Sequence, residues 1–178
     1  MTNRQQWTMI ASVVTTAVFG VALAIKLRPQ INLLEIGSSA PQFHATDLRT
    51  SRPASLADYR GKVVLLNIWA TWCPPCKIEM PSMERLHQKL AGTDFQLVAV
   101  SVDEEDSSVV NKFVKEYGLT FPVLHNQDGS IRQIYQTTGV PESFVIDRDG
   151  VIVKKVIGAA DWDAPVNENL IRRLLDAR

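Results

Sequence analysis

Residues 63–81 constrain this chain more than any other stretch: VVLLNIWATWCPPCKIEMP. A mostly apolar run, Val63 to Trp69, gives way to Ala70 and Thr71. Two cysteines enclosing two prolines follow, and then a segment of helical character. That order reads as a buried strand, a short turn and a helix. The first turn of the helix carries Cys73 and Cys76, the only cysteines among 178 residues.

The spacing has chemical consequences. Cys73 sits where a helix begins, so its sulfur can face the unpaired N–H groups of the first turn and the positive end of the helix dipole. Both favour thiolate over thiol, so Cys73 is expected to be the attacking sulfur, with a lowered pKa. Cys76 lies about one helical turn on, within reach of the first sulfur, and is expected to be the buried, resolving thiol. Pro74 fits the first helical position, where a backbone N–H would lack a partner anyway. Pro75 also lacks a donor and stiffens the turn. A loop this short adds little as a staple, so a working redox pair is the stronger reading.

Composition narrows the function classes. With 46% hydrophobic residues, the chain fits one globular domain plus an appendage. Nineteen basic and nineteen acidic side chains cancel, and no basic block points to nucleic acid. His44, His87 and His125 are scattered, so no metal site is expected, and no organic cofactor is implied.

The appendage is N-terminal. Residues 7–25, WTMIASVVTTAVFGVALAI, carry no charge and approach the roughly 20 residues a membrane-spanning helix needs. Trp7 suits one interface, and Lys26 and Arg28 bound the other end. A cleaved signal peptide competes, with Arg4 as basic flank and Ala22-Leu23-Ala24 as a small-x-small site; a buried soluble helix is a third reading. Basic residues at both ends leave orientation undecided. The expected organisation is an anchor or signal over 1–28, a linker over 29–35 and one domain over 36–178.

Within the domain, Phe43 to Thr46 is expected as an edge strand, Leu48 to Ser55 as polar turn, and Ser55 to Tyr59 as a helical turn ending at Gly61. Val63 to Trp69 reads as a central strand apolar on both faces. A helix follows from Pro74 to about Leu90, with Met80, Met83, Leu86 and Leu90 as its core stripe and Pro81 as a kink. Phe95–Val102 is a second buried strand. The acidic run Asp103–Asp106 is expected to cap a helix over Ser107–Tyr117. Short elements at 121–124 and 131–135 lead to a hairpin, 143–147 and 151–157, around Arg148-Asp149-Gly150. A helix over 167–177 closes the chain. Trp69 and Trp162 are expected to pack. The class is α/β: a central mixed sheet with helices on both faces, plus the N-terminal hydrophobic helix.

WATWCPPCKIEMP, together with IGSSAPQF at 36–43, SLADYRGKVVLLNIW at 55–69 and GVPESFVIDRDG at 139–150, resembles the membrane-anchored thioredoxin-like thiol–disulfide oxidoreductases of the TlpA/ResA/CcmG type. The resemblance implies a thioredoxin-like fold over residues 36–178, with an extra strand–helix insertion within 103–135. It implies that Pro141 is a cis-proline facing the active-site disulfide, and that Val140 and Pro141 present backbone to a bound substrate. Glu79 matches a family glutamate near the active site, able to raise thiol pKa values or exchange a proton with Cys76. Glu142 follows the family pattern and would add negative charge to the substrate groove. Trp72, Pro74 and Pro75 complete the expected contact surface.

The function so implied is exported disulfide reduction, with cytochrome c maturation as the commonest task. Apocytochrome c would be among the disulfide-containing substrates, and a membrane thiol reductant of the DsbD/CcdA type would be the electron donor. The domain would sit outside the cytoplasm, tethered to the membrane or released to the periplasm after signal cleavage. A general oxidant or isomerase is one alternative. Another is a Cu(I)-delivery module, which needs wider cysteine spacing and a histidine ligand; His125 is the one candidate. A thiol peroxidase would need threonine and proline where Ala70 and Leu66 stand.

Overall fold

A computed structural model describes residues 2–26 and 34–177, with the side chains of 6, 8–11 and 24–26 left outside the description. By its contacts the chain separates into two units, Met1–Leu33 and Leu34–Arg178. The first contains one helix, α1, Asn3–Lys26. Thr16 turns its hydroxyl back to the Ser12 carbonyl at 2.9 Å, which satisfies it within the helix. Among the described residues no helix is long and apolar enough to cross a membrane. The uncharged run 7–25 is therefore helical, but spanning is not shown. The linker expected over 29–35 lies, apart from Leu34 and Glu35, outside the described residues.

The second unit is built on a seven-stranded mixed sheet. Its strands are β1 (His44–Asp47), β2 (Pro53–Ser55), β3 (Val63–Trp69), β4 (Phe95–Ser101), β5 (Val123–His125), β6 (Glu142–Ile146) and β7 (Ile152–Ile157), in the spatial order β2-β1-β5-β4-β3-β6-β7. β3 runs parallel to β4 in register Val63↔Phe95 through Trp69↔Ser101, and antiparallel to β6. All seven residues of β3 and all five of β6 are buried, so both faces of the sheet centre are covered. The helices are α2 (Pro74–Lys89), α3 (Ser107–Glu116), α4 (Ser130–Ile134) and α5 (Pro165–Asp176), with a 3-10 turn at Leu56–Tyr59. Trp69, Trp162, Met80, Met83 and Leu86 are fully buried, as the sequence pattern predicts.

Three expectations change. The strand expected at the sheet edge over 43–46 is β1, which lies between β2 and β5, because β2 takes the edge. The stretch 48–55 is not all turn: Pro53–Ser55 forms β2 against β1. Three residues opened by a proline carry almost no periodic signal, yet an edge strand tolerates the missing donor. The acidic run 103–106 also divides. Asp106 caps α3 by accepting from Ser108 N at 2.9 Å, whereas Asp103 is fully buried and does something else.

Candidate active site

Cys73 is the N-cap of α2, in extended conformation, with Pro74 and Pro75 as the first helical residues. Its Sγ accepts from Cys76 N at 3.2 Å, so one orphan donor of the first turn already points at the sulfur. Cys73 and Cys76 form a disulfide. Both sulfurs are shielded, and Cys73 keeps the little exposure there is, 2% against 0%. Several apolar side chains of the flanking elements are exposed. Trp72 is 57% exposed, Ile78 75% and Ile157 64%, and both prolines are exposed.

The second wall comes from the loop entering β6. The Val140–Pro141 peptide bond is cis, and the Val140 carbonyl oxygen stands 3.4 Å from Cys73 Sγ. In the dithiol form that oxygen can accept a hydrogen bond from the Cys73 thiol; toward a thiolate it is repulsive. Pro141 is buried and its carbonyl accepts from Gly158 N at 2.8 Å. Val140 is half-buried.

Glu142 is not where its expected role needs it. Its side chain is fully buried, pairing with Lys155 Nζ at 2.8 Å and accepting from Thr138 N at 3.1 Å. The pairing with Lys155 neutralises its charge within the fold instead of leaving it to line a groove.

Glu79 lies one turn beyond Cys76 on α2, on the inward face and 1% exposed. Its Oε1 accepts from Asn67 Nδ2 at 2.8 Å; its Oε2 accepts from Ala160 N and Trp162 Nε1, both at 3.3 Å. Burial pushes this carboxyl up to about 7, against the three hydrogen bonds, which favour the charged form. The carboxyl so raised lies one helical turn from Cys76.

Three parts of this arrangement were not expected from sequence. Asn67 donates to both Glu79 and Ser143 Oγ, the latter at 2.9 Å. Trp162 packs as expected and also holds the carboxylate. Asp103 receives Thr71 N at 3.0 Å and Ser101 Oγ at 2.6 Å, and also the Thr71 hydroxyl, tying down the loop before Cys73. Asn67 did carry a signal: an amide inside a strand buried on both faces must find a partner.

His125 is buried, with Nε2 2.8 Å from the Asp103 carbonyl oxygen. Among the described residues no cluster of three or more His, Cys, Asp or Glu is placed to hold a metal.

A family model described as AhpC/TSA family matches residues 36–155. The chain is 37% identical over 156 residues to the thiol-disulfide oxidoreductase ResA of Bacillus cereus, covering 88% of this chain and 89% of that protein. It is 42% identical over 125 residues to ResA of Bacillus thuringiensis subsp. konkukian, covering 70% and 71%. The chain belongs to the AhpC/TSA family. Within it, the ResA likeness and the CPPC disulfide make it a thioredoxin-like thiol–disulfide oxidoreductase. The fold agrees: a thioredoxin-family thiol:disulfide interchange protein from Chlorobium tepidum superposes with TM-score 0.66 at 28% identity, covering 79% of this chain and 98% of that one.

Proposed function

We propose that this protein is an exported reductant of disulfides in other exported proteins, with the paired cysteines of apocytochrome c among its substrates. The carrying observation is Glu79, an acid buried one turn beyond Cys76. A disulfide oxidant owes its potential to a stabilised reduced form. Here a buried carboxylate and the Val140 carbonyl oxygen both disfavour negative charge on sulfur, which favours electron donation.

In this reading Cys73 thiolate attacks the substrate disulfide, forming a mixed disulfide and releasing one substrate thiolate. Cys76 passes its proton to Glu79 and attacks Cys73 Sγ. The second substrate thiolate leaves, and the enzyme disulfide remains. Substrate backbone lies along the cis-proline loop at Val140 and Pro141, and Trp72, Pro74 and Pro75 cover the reacting sulfurs. A membrane thiol carrier of the DsbD/CcdA type restores the dithiol. The uncharged helical run 7–25 supports delivery outside the cytoplasm as a tether, with residues 29–35 as linker and 36–178 as the working domain. Resistance of the full chain to carbonate extraction from membranes distinguishes a tether from a cleaved signal.

Equilibration against thiol buffers, read by alkylation, tests the direction. A potential near or below about −220 mV is expected, on a scale where thioredoxin sits near −270 mV and the oxidant DsbA near −120 mV. A potential above about −150 mV would make the protein an oxidant or isomerase and end the reductant reading.

A further inference from the structure

Among the described residues, every hydrogen-bond partner of the Glu79 carboxylate is a donor. Ala160 offers a backbone N–H and Trp162 an indole N–H, neither of which can accept. Asn67 presents its amide nitrogen to Oε1 at 2.8 Å, and spends its second hydrogen on Ser143 Oγ at 2.9 Å. That shell suits a carboxylate and has no place for a carboxylic acid proton. Yet the same amide leaves Oδ1 fully buried with no partner among the described residues. An orphaned acceptor sits one half-turn about χ2 away from the group that lacks one.

We infer that Asn67 is a two-state positioning residue, whose amide rotates by half a turn when Glu79 takes up a proton. In the charged state Nδ2 donates to Glu79 and to Ser143. In the protonated state the Glu79 Oε1 hydroxyl donates to Oδ1, and the Ser143 hydroxyl reverses to donate there as well. Each state makes two hydrogen bonds and leaves one amide end unpaired, so neither is locked by satisfaction alone. The proton enters at Oε1, which faces one donor, in preference to Oε2, which faces two. Ser143 lies in β6, two residues beyond Pro141, so the rotation carries the protonation state of Glu79 into the strand that follows the cis-proline loop.

Other charges around the site are engaged elsewhere or exposed. On α2, Lys77 is exposed and Arg85 pairs with Asp163 at 2.7 Å. Glu142 on β6 pairs with Lys155 on β7, while Lys154 on β7 donates to Asn167 at 2.6 Å. Asp161, in the loop after β7, is exposed. None of them is hydrogen-bonded to Glu79. Cys76, one turn before Glu79 on the same helix, does not titrate while it is held in the disulfide.

The inference rests on the proposal that Glu79 titrates in the working range, and deepens it. The test uses full-length oxidised protein, in which neither thiol titrates, labelled with 13C at Glu carboxyls and 15N at Asn side chains. Across pH 5–9 the Asn67 Nδ2 resonances are expected to move with the same midpoint as Glu79 Cδ, and Glu79→Gln is expected to abolish that response. A static Asn67 amide beneath a titrating Glu79 overturns the rotation. So does a Glu79 that fails to titrate. A coupled amide with an unchanged rate–pH profile in Glu79→Gln leaves the rotation standing, and removes instead the proton-exchange role of Glu79. Asn67→Leu, if it folds, is expected to displace the acid midpoint of the exchange rate; an unmoved midpoint counts against Asn67.

Discussion

Cys73 and Cys76 differ by position more than by burial. Cys73 caps the helix and faces the cis-proline loop, while Cys76 is enclosed. Cys73→Ser is expected to abolish exchange, and Cys76→Ser to accumulate mixed disulfides through Cys73, seen by non-reducing electrophoresis. Trapping through Cys76 alone would reverse the assignment. Glu79 has a stability signature with a definite sign. Its carboxyl is raised in the folded protein, so it favours the fold below its ordinary pKa, and that contribution is lost as pH rises through the folded value. The interval from 4.5 to about 7 is worth on the order of 3 kcal/mol. Oxidised wild type should therefore lose stability from pH 5 to 8 relative to Glu79→Gln, measured by urea unfolding. Parallel pH profiles would show that Glu79 carries no such linkage. The cysteine spacing was open to reading at this scale. The partners of Glu79 were not, because Asn67 is 12 positions away and Trp162 is 83.

At the scale of elements, the geometry depends on how α2 is held at the end of β3. Helix capping and the two prolines fix its start locally. The loop between strand and helix is fixed from outside, by Asp103 at the end of β4. Asp103→Ala strands the Thr71 N–H and two hydroxyls in a buried setting, and is expected to cost about 2–4 kcal/mol in urea unfolding. Exchange should slow as well, since Thr71 lies two residues before Cys73. An unchanged midpoint would mean water replaces the carboxylate without loss. Most element boundaries were legible from hydrophobic period and capping residues, β3 and α2 best of all. β2 was not, because an edge strand of three residues makes no pattern. The division of labour between Asp103 and Asp106 was hidden too: both look like caps until β3 and β4 pair and place Ser101 opposite Trp69.

At the scale of the whole molecule, all seven described strands of the sheet lie within the second unit, Leu34–Arg178. A truncated chain, 34–178, is expected to unfold cooperatively at the same urea midpoint as the full protein and to keep its exchange rate with a soluble dithiol. A lowered midpoint would show that the first unit contributes to the fold. The exposed apolar side chains Trp72, Ile78 and Ile157 come from the turn before α2, from α2 and from β7, so no single local motif supplies them.

The sequence alone determined the chemistry and its local frame. A buried strand, a cysteine at a helix start and a second one turn later follow from short-range sterics, hydrogen-bond supply and hydrophobic period. What tertiary structure decided was the charge environment of that chemistry. It buried Glu79 among donors from β3 and the 160–162 segment, turned Glu142 onto Lys155, and brought the Val140 carbonyl to Cys73. Those outcomes depend on desolvation and on contacts between residues 12 to 83 positions apart, which no local pattern encodes.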